Sequence, residues 1–201
     1  MRRTLLALAA ATVLVTGCGS SDTHNDADVA FAQQMVPHHE QAVTMSDLAL
    51  EPDRGASAEV RALAEQIGSA QHAEIEQMNG WLEEWGEDGA GSEHGGHGAE
   101  HGDGHGEGHG GGAGHEGMLT DEQLDDLAAA TGPEFDTLWL TSMIEHHEGA
   151  ITMAQKVVDD GKDPDVRDLA EQIVQVQQDE IEAMRAIVSS LDDPATSSQS
   201  G

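Results

Sequence analysis

The sequence predicts an all-α protein, an antiparallel four-helix bundle made from two copies of one helical hairpin. Three observations lead to it. Four long stretches place apolar side chains at helical spacing, a glycine-rich stretch divides them two and two, and the second pair repeats the first. Met35, His38, His39, Ala42 and Met45 match Met143, His146, His147, Ala150 and Met153 at a constant offset of 108. After a turn two residues shorter, Val60, Arg61, Leu63 and 64–67 match Val166, Arg167, Leu169 and 170–173. Gln71, Glu74, Ile75, Glu76 and Met78 then match Gln177, Glu180, Ile181, Glu182 and Met184. A repeat of this length is a supersecondary unit that buries its apolar face against its own copy.

Residues 1–17 open with two arginines and continue as an apolar run to Gly17, the form of an export signal. The run from Thr4 to Thr16 is too short for an ordinary membrane span. Cys18, the only cysteine, follows two small residues, and this junction resembles the lipobox of bacterial lipoproteins. That resemblance implies cleavage before Cys18 and a lipid on its thiol, hence an extracytoplasmic protein anchored to a bacterial cell membrane. With one cysteine, no disulfide forms within a chain. Residues 18–27 read as a polar tether. Without the signal the chain keeps 6 basic and 39 acidic side chains, a formal −33, which argues against nucleic acid as a partner.

The first hairpin occupies 28–85, with helices expected from about Asp26 to Leu50 and from Ser57 to Trp85. Pro37 lies inside the first of these. A proline there removes a hydrogen bond and crowds the preceding turn at a cost of about 3 kcal/mol, so it either kinks the helix before the histidines or starts a new segment. Residues 86–117 are mostly Gly, His and acidic, with almost no apolar side chains, and read as a disordered linker. Structure resumes within 118–191. Thr120 and Gln123 form a capping-box pattern opening a short helix to about Ala130. Pro133 suits the first turn of a long helix to about Asp160, and Gly161 ends it. Asp163 and Pro164 open the last helix, to about Leu191, and 192–201 is a serine-rich tail.

At 100° per residue, Phe31, Met35, His38, His39, Ala42, Met45 and Ala49 share an arc of about 120°, the stripe that an amphipathic helix turns inward. The partner helix shows an apolar stripe interrupted by Gln71 and Glu74, and the second repeat shows the same interruption at Gln177 and Glu180. A lone buried carboxylate costs several kcal/mol unless it is paired, hydrogen-bonded or protonated. Histidine is its partner in this pattern.

The motif Phe-x3-Met-x2-His-His-x2-Ala-x2-Met, followed by a Gln-x2-Glu-Ile-x2-Met helix, is similar to the family catalogued as domain of unknown function 305. In the second repeat the run from Gly132 to Asp136 leading into 143–154 is especially close to it. The likeness covers about Asp28 to Ile187. It implies a ferritin-like helical bundle, an exported location and copper binding, carried here by His38, His39, His146 and His147 with Met35, Met45, Met143 and Met153 alongside. The long Gly/His linker departs from the family pattern and leaves open whether metal binds in the bundle, in the linker or in both.

Imidazole suits copper, zinc, nickel and iron, whereas thioether sulfur selects chiefly for Cu(I). A Met three residues before and seven after the leading histidine of each pair therefore favours copper, against the common use of Met as a core filler. Glu74, Glu180, Gln71 and Gln177 read as residues behind the ligands that fix imidazole tautomers; Glu40 and Glu148 fall on the flank. His94, His97, His101, His105, His109 and His115 in the linker form a second candidate site, for copper and for other cations such as zinc or nickel, lost as imidazoles protonate near pH 6.5. The expected function is copper sequestration or delivery without catalysis. A di-iron or di-manganese oxidase ranks lower, because its usual Glu-x-x-His pairs are missing from the sequence. The rival reading is a structural or interaction module whose buried His–Glu layer binds metal incidentally. The sequence leaves a homodimer open.

Overall fold

The computed structural model describes residues 23–89 and 116–191. Among them every regular element is helical. Helix α1 (Asp26–Leu50) leads through one 3-10 turn (Pro52–Arg54) into α2 (Ala58–Trp85). After the glycine-rich stretch come α3 (Asp121–Ala129), α4 (Gly132–Asp160) and α5 (Pro164–Leu191).

The helix starts are written in side chains that accept from exposed backbone N–H groups. Asn25 accepts from Ala27 and Asp28 and Asp28 accepts from Asn25, closing a capping box on α1; Thr120 and Gln123 do the same for α3. Ser57 caps α2 through Val60 N–H. Pro37 sits inside an unbroken α1, so no new segment starts there. The carbonyl four residues earlier simply loses its partner, and burial of the stripe beyond the proline offsets the cost.

Helices α1 and α2 pack as one antiparallel hairpin, α4 and α5 as another, and α1 against α4 joins the two. The buried side chains form two apolar clusters. One gathers Phe31 and Met35 of α1 with Met78, Leu82, Met153, Val157 and Ile173. The other gathers Met45 and Ala49 with Ile67, Phe135, Trp139, Met143 and Met184. Between them in sequence along both α1 and α4 lie the histidine pairs, all four buried with no exposed surface.

Two aspartates tie the hairpins together and share the offset of 108. Asp28 of α1 is buried and accepts from the backbone N–H groups of Lys162 and Asp163 at 3.1 Å, in the loop between α4 and α5. Asp136 of α4 is also buried and accepts from Ser57 N–H at 3.1 and 3.2 Å, in the loop between α1 and α2. Each hairpin thus caps the turn of the other. Trp139 adds a buried bond, its indole N–H donating to the Met45 carbonyl at 2.9 Å. Among the described residues no helix is long and apolar enough to cross a membrane.

Candidate metal centre

The helical stripe of α1 turns His38 and His39 inward, and the matching stripe of α4 turns His146 and His147 inward against them. The rings of His38 and His146 meet at 3.8 Å between centroids, inclined by 40°. Within each pair the two rings stand 6.4 Å apart, because neighbouring residues on a helix diverge by about 100°.

The outer ring of each pair meets the carboxylate of its own hairpin. His39 Nε2 donates to Glu74 at 2.7 Å, and His147 Nε2 donates to Glu180 at 2.9 Å. The two acids differ in surroundings. The Glu74 side chain keeps 20% of its surface exposed and that of Glu180 keeps 6%. Glu180 also accepts from Gln66 Nε2 at 3.2 Å, a bond from α2 to α5.

The inner rings are treated differently. His38 Nε2 donates to the backbone carbonyl of Glu116 at 3.0 Å. A carbonyl only accepts, so in the neutral ring the proton is on Nε2 and Nδ1 carries a lone pair. A weak contact with the His38 backbone favours a proton on His146 but falls short of a hydrogen bond, leaving both of its ring nitrogens buried without a protein partner. Nδ1 of all four histidines is buried and unpartnered within the protein. Four such atoms in one layer go against the rule that buried polar atoms are bonded.

Burial pushes the His38 imidazole from 6.5 down to about 3, with repulsion from His39 and His147 adding to it and the Glu116 carbonyl opposing it. Burial likewise holds His146 well below 6.5, reinforced by His38, His147 and His39. Both rings are therefore neutral at pH 7 and keep lone pairs for a Lewis acid.

Met35 and Met153 belong to one of the flanking apolar clusters and Met45 and Met143 to the other, so these four thioethers divide with one from each repeat on either side of the histidine layer; Met78 and Met184 add one more to each cluster. Gln71 and Gln177 are buried one turn from Glu74 and Glu180; neither carboxamide atom of Gln71 nor Oε1 of Gln177 has a protein partner. Glu40 and Glu148 face solvent, the latter paired with Arg185 at 2.6 Å. Neutral imidazole and thioether donors fit a soft cation. Among the described residues, however, no three His, Cys, Asp or Glu side chains already converge on one point where an ion would sit. The linker histidines His94, His97, His101, His105, His109 and His115, and Cys18, lie outside the described residues.

Two partners escaped the sequence. The Glu116 carbonyl is backbone and leaves no mark in side-chain pattern. Gln66 was visible as a repeated residue with Gln172, but only Gln66 reaches the layer; Gln172 bonds back to the Asp168 carbonyl on its own helix.

Comparison with known proteins bears on this geometry. A crystal structure of a DUF305 protein of Streptomyces coelicolor, assigned as secreted, is 28% identical with a TM-score of 0.67, over 82% of this chain and 93% of that one. A DUF305 fragment from Deinococcus radiodurans is 28% identical with a TM-score of 0.66, over 82% and 97%. CopM in its Cu(II)-bound form is 28% identical with a TM-score of 0.62, over 81% and 96%, and CopM is also solved in Cu(I)- and Ag-bound forms. An uncharacterized protein of Acanthamoeba polyphaga mimivirus, L153, is 43% identical over 53 residues, so the chain spans about a third (35%) of that relative. The family described as Domain of unknown function (DUF305) matches residues 28–188, and to that family this chain belongs.

Proposed function

We propose that this protein is an extracytoplasmic, lipid-anchored, non-enzymatic copper carrier, which sequesters or delivers the metal through its paired His/Met motifs on an antiparallel, ferritin-like four-helix bundle. The observation that carries the reading is the layer of four buried imidazoles, each with an unpartnered Nδ1, between methionines on either side. His38 and His146 are the first ligands. His39 and His147, each held by a carboxylate at Nε2, have the arrangement in which a carboxylate orients a metal-binding imidazole. Met35, Met45, Met143 and Met153 supply the thioethers that favour Cu(I). CopM supports the choice of metal, being related over most of its length and solved with copper. The linker histidines act as a weaker capture site in front of the bundle.

The test is a Cu(I) titration against a competing chelator at about pH 5, where ordinary imidazoles near 6.5 are mostly protonated and linker chelation fades. The buried pair keeps its lone pairs there, so a fixed small ratio of copper should remain bound. Replacing His38, His39, His146 and His147 together by Ala should abolish it while circular dichroism retains the helices.

A second reading has its own observation. Both outer histidines are already satisfied by carboxylates at 2.7 and 2.9 Å, as in a polar layer that specifies packing. Under it the fourfold variant lowers thermal stability, and the wild type shows no competitive copper binding at pH 5.

A further inference from the structure

The residues just before α3 lie across the histidine layer, and their seating there is built from both sides. The Glu116 carbonyl accepts from His38 Nε2 at 3.0 Å. Three residues on, Leu119 is buried and its backbone is gripped twice by one carboxamide: its N–H donates to Gln41 Oε1 at 2.7 Å and its carbonyl accepts from Gln41 Nε2 at 2.9 Å. The crossing also depends on two glycines. A Cβ on Gly149 would collide with the Glu116 carbonyl and stand 2.9 Å from Gly117 Cα. Gly117 has φ +76, a region closed to most side chains, and a Cβ there would lie 2.5 Å from the Glu145 carbonyl. This is backbone packed on backbone over the turn of α4 that carries His146. Gly149 has Gln41 as its counterpart in the repeat, so the two halves of the seat sit at equivalent positions, one gripping Leu119 by its carboxamide and the other admitting Glu116 and Gly117 by its lack of a side chain.

A pocket of about 230 Å³ opens beside the strap, between α1 and α4. Its walls include Phe31, Gln34, Met153, Lys156 and Glu116 itself. Met153 departs from the repeat here. Met35, Met45 and Met143 are wholly enclosed, whereas Met153 keeps 8% of its surface exposed and lines the pocket.

The geometry points to residues 116–119 as a gate over the His38/His146 pair, with this pocket as the portal and Met153 as the thioether that a soft cation meets first. The inference rests on the copper-binding reading and adds the route and its control. Opening breaks the His38–Glu116 bond, which frees Nε2 and lets the ring turn toward the portal. The Gln41 clamp at Leu119 limits the movement to the segment before it.

The gate is testable without metal. In the full mature chain, ethoxycarbonylation of the imidazole by diethyl pyrocarbonate, which releases CO2 and ethanol, is mapped by peptide mass spectrometry and reports how often His38 becomes accessible. Gly149→Ala should raise the His38 rate about tenfold or more, since local opening sets protection. If that variant loses its helical circular dichroism, Gln41→Leu tests the same point without adding bulk to α4, releasing Leu119 and raising the rate in the same direction. Cu(I) is then added and its arrival followed at the His38 and His146 ring resonances, which excludes signal from linker histidines. Gly149→Ala should speed arrival, and Met153→Leu should slow it with little change in final occupancy. Unchanged His38 reactivity in folded gate variants overturns the gate. Faster modification with no copper at these rings in any protein upholds the gate as a cover and overturns the copper reading instead.

Discussion

Glu180 is the most heavily committed carboxylate of the histidine layer, accepting from His147 and from Gln66 with almost no water contact. Glu180→Ala strands the buried imidazole N–H of His147, while the exposed Gln66 carboxamide turns to water, so we expect a loss of about 1–3 kcal/mol in urea unfolding. Glu74→Ala should cost less, because that acid is partly exposed and water can replace it at His39. Equal losses would mean that the two hairpins do not differ at this point. The inner histidines make a second prediction, in pH. His38 is held at about 3 when folded against 6.5 when unfolded, and His146 is shifted in the same direction. Between those values the unfolded chain binds the extra protons. The stability that the neutral His38 ring allows is complete above pH 6.5 and falls as pH drops toward 3, by about 1.4 kcal/mol per pH unit, and His146 adds a loss in the same direction. The groups around them are His39, Glu74, His147, Glu180 and the Glu116 carbonyl. His38→Gln should flatten the slope of unfolding free energy against pH; an unaltered slope would place the acid sensitivity elsewhere.

At the scale of the element, the crossed aspartates hold each helix start to the other hairpin's loop. Among the described residues, Asp28 accepts from Asn25, Lys162 and Asp163, whereas Asp136 accepts only from Ser57. Asp28→Ala should therefore destabilise more than Asp136→Ala, with both in the range of about 1–3 kcal/mol. The ties lie at opposite ends of the α1/α4 seam, so the double variant should show the sum within about 0.5 kcal/mol in denaturant titrations. A strong coupling would show that loosening one end already frees the other. The elements themselves were largely legible: the capping box at Thr120 and the stop at Gly161 were readable because they depend on neighbouring residues. Asp28 and Asp136 escaped because an aspartate near a helix start reads as a local cap or dipole partner, and its distant loop partner has no sequence signal.

For the whole molecule the dominant force outside the core is its own charge, 39 acidic against 8 basic side chains. Among the described residues, the ion pairs that these acids form are at the surface or with histidine. Raising ionic strength from about 0.01 M to 0.15 M shortens the Debye length from ~30 Å to ~8 Å, which should raise the melting temperature by a few degrees. A melting temperature indifferent to salt would mean that the acids are already locally compensated. The same field concentrates cations at the surface, where the proposed portal opens.

The duplicated pattern by itself determined the all-helical class, the two hairpins, the inward direction of His38, His39, His146 and His147, and the pairing of each repeat with a carboxylate. These follow from period and spacing, which are local. Which copy does what was decided only in the tertiary structure. The repeats are equal in sequence around their histidines, yet His38 is held by the Glu116 carbonyl and His146 by none, Glu180 is sealed and Glu74 is not, and Met153 meets a pocket while Met45 is enclosed. The physical reason is that one chain segment crosses a twofold arrangement and covers one side of it. A backbone contact seated on Gly149 breaks the symmetry, and no periodicity in the side chains encodes where that segment comes to rest.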